Sequence, residues 1–417
     1  MIQEFRVQNF MSIKDEQVLS FEASKDDISR EFLTYQVKPN VSLLKMIVLY
    51  GANASGKSNV LCAIQNFWEM LCKPLWRKES TIFYEPFALN VDEPTKYSCI
   101  FYIDSIKYEY SISYNKNFIL QEKMEYAPNG VMSLFYRREF VGEDQVPKIE
   151  FGGSLGLAAK SKSAMISNTL NNHTVLSTYA KISVEALPVK TVHEWIVNNV
   201  HELDEDKGEV IETAEDIVKN VEKKEFFLKA LGKADFNISD IKLEKKELPQ
   251  KVIDSILNDK TISEKDKEKL LAQKRDEVIF VHHTMAGDFS LSQRLQSLGT
   301  LKYFTLLGRL YNMTKDNHIY MYDELERSIH YDLFIYYLSF FMMHTQASQI
   351  ILATHDQMLL NEEFVRRDIV WFTAKSKETG ATELYSARDF GLHKNVSLYN
   401  AYKIGKLGAK PELGSIF

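Results

Sequence analysis

Cysteine is nearly absent: the 417 residues hold three, Cys62, Cys72 and Cys99. They form no C-x-x-C pair and are too few for a disulfide framework, which points to a reducing, cytoplasmic setting. Net positive charge is missing too. Lys and Arg number 51 against 57 Asp and Glu, a balance of −6. The surface as a whole is therefore no nucleic-acid glove, and any DNA or RNA contact has to be a local patch. Nor is there a long apolar run. The greasiest, Leu333 to Met343, spans 11 residues, where a bilayer crossing takes ~20. It reads as a buried helix, and no membrane partner is expected. The opening MIQEFRVQNF carries charges where a signal peptide needs an unbroken apolar stretch, so no secretory leader is expected. Internal repeats and low-complexity tracts are also lacking. What remains is globular composition, 45% apolar and 26% charged, which excludes a wholly disordered chain. At roughly 150 residues per domain the length predicts two or three domains.

Strand signals open the chain at 2–10 and 17–23. KMIVLY (45–50) is a short continuous apolar run, the mark of a strand buried on both faces, and an apolar-periodic helix follows from Asn59 to about Leu71. From about 97 to 151, four strand-like runs are punctuated by Asp104-Ser105, Asn115-Lys116 and Pro128-Asn129-Gly130, which predicts an antiparallel meander. Tyr108, Tyr110, Ile112 and Tyr114 alternate strictly, so one face belongs to a core. Composition then shifts: 37 of the 76 residues over 202–277 are charged, which reads as a solvated, mainly helical excursion. The expected division is 1–154, an N-terminal lobe; 155–277, a helical lid or arm; and 278–417, a C-terminal lobe. Strand signals resume at 277–283, 317–324, 348–356 and 368–372 with helical signals between them, which implies a parallel sheet flanked by helices.

Gly51-Ala-Asn-Ala-Ser-Gly-Lys57-Ser58 fits G-x-x-x-x-G-K-[ST] between a buried strand and a helix, the context a phosphate-binding loop requires. Such a loop closes backbone N–H groups and a helix N-terminus around phosphate, with Lys57 reaching the β/γ-phosphates and Ser58 holding Mg²⁺. ATP and Mg²⁺ are the implied ligands. Ile319-Tyr-Met-Tyr-Asp323-Glu324 is an apolar strand ending in two acids. Asp323 is placed to hold a Mg²⁺ water shell and Glu324 to orient and deprotonate the attacking water. Ile350-Ile-Leu-Ala-Thr-His355-Asp356 is another such strand. A histidine there suits the γ-phosphate or the attacking water, although a histidine at a strand end is by itself ordinary. Leu295-Gln-Ser297-Leu-Gly299-Thr300 opens an apolar-periodic helix with Ser297 as N-cap. This is a second anion-seeking N-terminus, which suggests that one of the two serves a neighbouring molecule.

The order of these motifs resembles an ABC-type ATPase head. Asn53 and Asn59 in G-x-N-x-S-G-K-S-N, and the opening FRVQNFMSI, are similar to the SMC, RecF and OLD branch. Four segments carry the likeness further: Phe21-Glu-Ala-Ser, Asp323-Glu-Leu-Glu-Arg-Ser-Ile-His330, Glu383-Leu-Tyr-Ser-Ala-Arg-Asp-Phe390, and the tail from Tyr402 to Pro411. Together they look like the bacterial AAA-annotated ATPases of the RloA/AbiL abortive-infection type, over about 1–150 and 277–417. The fold the resemblance implies is an α/β P-loop NTPase head of ABC type, with a mainly parallel sheet, an antiparallel β-meander and a largely helical insertion.

The resemblance also implies a head-to-tail homodimer, or a higher assembly, with two ATPs between chains. Gly51, Asn53, Ser55, Gly56, Lys57, Ser58 and Asn59 would bind nucleotide, and Ser58 and Asp323 the metal. Glu324, His355 and Lys57 would carry catalysis, and Ser297, Gly299 and Thr300 would complete the partner's site. Gln121 is the expected Mg²⁺-sensing glutamine. Such ATPases act in phage defence beside a separately encoded effector. The stretch after His355 is expected to be too short for the TOPRIM nuclease domain of OLD proteins. The alternative is a DNA-repair or chromosome-type ATPase that binds DNA directly, through basic positions such as Lys73, Arg77, Lys78, Lys160, Lys162, Lys403, Lys406 and Lys410.

Overall fold

The computed structural model describes residues 1–417 apart from 27, 204–209, 235, 248–249, 260–262, 265–266, 268–274, 394–395 and 411–417. Pro411, the end of the tail motif, thus lies outside the described residues. These fall into two compact units, one within Met1–Glu205, Asp316–Leu325 and Met342–Phe417 and the other within Asp206–Lys315 and Glu326–Phe341. Among the described residues no helix is long and apolar enough to cross a membrane.

The first unit is built on two large sheets, beside a two-stranded pair, Thr34–Lys38 with Val41–Leu44. Four of the expected strands appear as Ile319–Asp323, Gln349–Ala353, Met46–Gly51 and Val370–Lys375, parallel in that spatial order, and an antiparallel strand, Thr382–Ser386, forms the far edge. Every residue of Met46–Gly51 and Gln349–Ala353 is buried; strands covered on both faces need apolar side chains at every position, hence the unbroken runs in the sequence. The register places Asp323 opposite Ala353 and Thr373 opposite Gly51, so the carboxyl ends of the strands share one edge. In open α/β sheets that edge is where ligands bind.

The second sheet has seven antiparallel strands in the order Lys148–Phe151, Ser133–Glu139, Ile119–Tyr126, Ile106–Tyr114, Thr95–Ile103, Ile2–Gln8 and Gln17–Ser20. The meander is therefore present, extended by the two N-terminal strands. The alternation at Tyr108, Tyr110, Ile112 and Tyr114 does put all four in the core. The helix Lys57–Cys72 joins the two sheets. Its buried Val60, Ile64 and Phe67 share one core with Ile47 and Ile351 of the parallel sheet and Phe5 and Tyr110 of the antiparallel one.

The segment expected as a lid, 155–277, is divided between the units. Helices Ala159–Asn168, Val175–Tyr179 and Leu187–Asn199 give Met165, Leu176 and Val192 to the first unit's core. The remainder contributes helices to the second unit, among them Val210–Lys219 and Val221–Lys233, but also a strand, Ile238–Lys246. That strand pairs antiparallel with Arg275–Thr284, which pairs with Gly287–Ser292. The strand expected at 277–283 thus belongs to this three-stranded sheet rather than to the parallel one. Its apolar residues, Val278 and Phe280, serve a local core in which Phe227 and Phe280 meet Phe304 at 5.3 and 5.2 Å between ring centroids. An apolar run specifies burial and not which sheet provides it. The run at 333–343 is the helix Tyr331–His344, with Phe334, Tyr337, Leu338 and Phe341 fully buried.

Candidate functional site

The buried strand Met46–Gly51 delivers the chain into a turn at the sheet edge. Gly51 accepts no side chain: a Cβ there would lie 2.4 Å from both Ser55 Oγ and Thr373 Oγ1. Left-handed backbone at Ala54 (φ 62°) and Gly56 (φ 108°) curls the loop, the kind of conformation that gathers successive N–H groups into an anion-binding concavity. The helix Lys57–Cys72 starts directly after Gly56 with no side-chain cap, so its first N–H groups face the same loop.

Lys57 is buried, and its Nζ donates to the Gly51 carbonyl at 2.9 Å and to Nε2 of His355 at 3.0 Å. Ser58 Oγ donates to Asp323 Oδ2 at 2.5 Å. Glu324 follows Asp323 with φ 54°, its N–H held by the Ala353 carbonyl at 2.9 Å. A left-handed glutamate costs about 1 kcal/mol, and here the backbone tie to the neighbouring strand maintains it, turning the side chain to 3.7 Å (Oε1) from His355 Nε2. Burial first, and then the charge of Lys57, hold the His355 pKa below its ordinary 6.5, so the imidazole is neutral at pH 7 and its Nε2 accepts. Five groups from two strand ends and one helix N-terminus therefore meet at one edge: a cation, a hydroxyl, two carboxylates and a neutral imidazole.

Asn53 is exposed on the loop. Ser55 is buried, with Oγ 2.6 Å from Thr373 Oγ1, and Asn59 Nδ2 donates to Ser12 Oγ at 2.6 Å. Ser297 caps the helix Leu298–Lys315 as the sequence implies, its Oγ accepting from Thr300 N at 3.0 Å. Ser297, Gly299 and Thr300 belong to the second unit, whereas the loop, Asp323, Glu324 and His355 belong to the first. Gln121 stands exposed on Ile119–Tyr126 between Ser113 and Glu139; among the described residues no hydrogen bond joins it to Ser58 or Asp323.

Three residues that the sequence analysis did not single out support the loop: Ser12, Thr373 and Thr382. Thr382 Oγ1 donates to the Ser55 carbonyl at 2.8 Å and lies 2.7 Å from Ser12 Oγ. Hydroxyl residues in turns and strands are common, and their place against the loop arises only from folding.

A family model described as "AAA domain, putative AbiEii toxin, Type IV TA system" matches residues 46–361. No curated protein matches the chain. Solved structures similar to it include an SMC head bound to the C-winged helix domain of ScpA, 13% identical with a TM-score of 0.44 over 96% of this chain and 99% of that one. An SMC head domain from Thermotoga maritima is 11% identical with a TM-score of 0.40, over 92% and 98% of the two chains. An SMC head domain with an extended coiled coil, bound to the C-terminal domain of ScpA derived from Pyrococcus furiosus, is 14% identical with a TM-score of 0.37, over 98% and 99%.

Proposed function

The chain belongs to this AAA-domain family, and from that premise we propose that it is an ATP-hydrolysing switch that closes as a head-to-tail dimer over two Mg-ATP. The observation that carries the reading is the meeting of Lys57, Ser58, Asp323, Glu324 and His355 at the carboxyl edge of the parallel sheet. Each has a task that matches its surroundings. Lys57, whose partners here are carbonyl oxygens and an imidazole, takes up the β/γ-phosphates. Ser58 Oγ and Asp323 Oδ2, 2.5 Å apart, are hard oxygen donors of the kind Mg²⁺ selects, and the ion, when bound, would neutralise phosphate charge. Glu324 takes the proton of the attacking water, and neutral His355 hydrogen-bonds the γ-phosphate or that water. The Ser297–Thr300 helix start completes the site of the partner chain.

The family description names a toxin of a type IV toxin–antitoxin system. With the resemblance to abortive-infection ATPases, it supports an anti-phage setting in which a separate effector, encoded nearby, responds to opening and closing of the dimer. Stable co-purification with the product of the adjacent gene tests that part. For the chemistry the test is Lys57→Ala, which leaves no cation in the loop to bridge the phosphates. Phosphate release from ATP should disappear, and turnover at the wild-type rate would sink the site assignment.

A further inference from the structure

We infer that the phosphate loop is clamped by segments near both ends of the chain, with Ser12 and Thr382 as positioning residues for the nucleotide; neither lies within the family-matched residues 46–361. The inference rests on the ATP-binding reading for its functional part and on geometry for the clamp itself. Thr382 N donates to the Ser12 carbonyl at 2.7 Å, which stitches the C-terminal hairpin to the turn after the first strand. The side chains then form a directional chain. Asn59 Nδ2 donates to Ser12 Oγ at 2.6 Å, Ser12 and Thr382 hydroxyls meet at 2.7 Å, and Thr382 Oγ1 donates to the Ser55 carbonyl at 2.8 Å. Because the Thr382 proton goes to Ser55 and Asn59 brings its own, the Ser12 hydroxyl must donate to Thr382. The relay starts on the first turn of the helix and ends in the loop, bracketing Gly56 and Lys57, and hydrogen bonds in series reinforce one another.

The consequence lies in one peptide plane. In a trans peptide the C=O and the following N–H point in opposite directions. Pinning the Ser55 carbonyl toward Thr382 therefore turns the Gly56 N–H away from it, toward the side of the loop that would hold phosphate. Gly56 is required for the same reason: a Cβ there would lie 2.1 Å from Thr382 Oγ1, and its φ is 108°. The hydroxyl of Thr382 occupies the place of the missing side chain. Thr373 adds a second brace through Ser55 Oγ at 2.6 Å, so the loop is held from both strands of the hairpin.

Thr382→Val keeps shape and volume but donates nothing to Ser55. Equilibrium binding of methylanthraniloyl-labelled ADP should weaken roughly five- to thirtyfold, the loss expected for one or two net hydrogen bonds. KM for ATP should rise in step while kcat at saturation stays close to wild type, since Glu324 and His355 are untouched. Thr382→Ser restores the hydroxyl and should restore binding, and Ser12→Ala should weaken it in the same direction if the valine variant fails to fold. Unchanged binding in Thr382→Val, or no recovery in Thr382→Ser, overturns the inference. Hydrogen exchange of peptides covering residues 50–60 reads the clamp without nucleotide. These amides should exchange faster in Thr382→Val, and equal exchange refutes the clamp. If wild-type protein binds no labelled ADP, the ATP reading fails, and the exchange result alone then decides the clamp.

Discussion

Nζ of Lys57 and Nε2 of His355, 298 residues apart in the chain, lie 3.0 Å from each other. Both cannot be cations at that distance, so the contact fixes the imidazole as the neutral acceptor. Burial is the first cause of its lowered pKa and Lys57 the second. Turnover should therefore be flat with respect to His355 above its ordinary 6.5 and fall only as pH drops through the lowered value, when protonation sets imidazolium against ammonium. The sign for stability is the same. A histidine whose folded pKa is depressed favours folding above its unfolded value, and that contribution fades as pH falls. His355→Gln keeps a hydrogen-bonding group but cannot titrate. It should lower turnover roughly 10²-fold and remove the acid limb that His355 imposes on the pH profile. An unaltered acid limb would mean that another group sets it.

Glu324 separates a switch from a scaffold that only binds ATP. Glu324→Gln keeps the size of the side chain and leaves Lys57, Ser58 and Asp323 in place, but an amide cannot take a proton from water. Hydrolysis should fall roughly 10²–10⁴-fold with nucleotide binding retained. In the proposed dimer ATP holds the chains together, so slow hydrolysis should make the closed form accumulate. Light scattering after size exclusion would show a long-lived dimer on adding Mg-ATP. Normal hydrolysis would place the base elsewhere, with His355 the next candidate.

The groups that meet at the sheet edge were legible because a strand buried on both faces writes itself as an apolar run, and the run ends at the edge where they gather. Gly51, Asp323 and His355 all follow such runs. Pairing was not legible. Residues 277–283 look no different from 348–353, yet one strand is antiparallel in a small sheet and the other parallel in the central one. Charge density over 202–277 signalled exposure but hid Phe227, which is buried against Phe304. Ser12 and Thr382, 370 residues apart, meet only because the first hairpin and the last one flank the same loop, and nothing local records that.

Glu122 shows how the same alternation decides between neighbours. Gln121 faces solvent, while Glu122 is buried and accepts from Tyr110 OH at 2.8 Å, Tyr136 OH at 2.6 Å and Val175 N at 3.2 Å. Its strand partner in register is the buried Arg138. Burial pushes the Glu122 pKa up and the Arg138 pKa down, the mark of charges kept together at a desolvation cost. Glu122→Ala leaves the buried Tyr110 and Tyr136 hydroxyls and the Val175 N–H without their acceptor and removes the charge opposite Arg138. It should destabilise the protein by about 3–5 kcal/mol, at about 1–3 kcal/mol per stranded donor, read from urea unfolding. Glu122→Gln retains an acceptor for the tyrosines and should cost less. Equal losses would mean that the charge alone, and not the hydrogen bonds to the tyrosines, supplies the stability.

Whether the Ser297–Thr300 helix start works in trans needs a substitution that spares its own unit. Gly299 is unsuitable, because a Cβ there would lie 2.4 Å from the Ser328 carbonyl and any loss of function would have a local cause. Leu298 beside it is 75% exposed and heads the helix Leu298–Lys315. A carboxylate at a helix N-terminus is favourable to the helix, so Leu298→Glu should fold normally while repelling a phosphate that approaches. Alone it should bind nucleotide through its own intact loop but neither dimerise on ATP nor hydrolyse it. Mixed with Lys57→Ala, random pairing gives heterodimers in which one composite site has both an intact loop and an intact helix start. If each site works independently, about a quarter of the wild-type activity should return in an equal mixture. No recovery, with mixing confirmed by differently tagged chains, would place the whole site within one chain and remove the dimer from the mechanism.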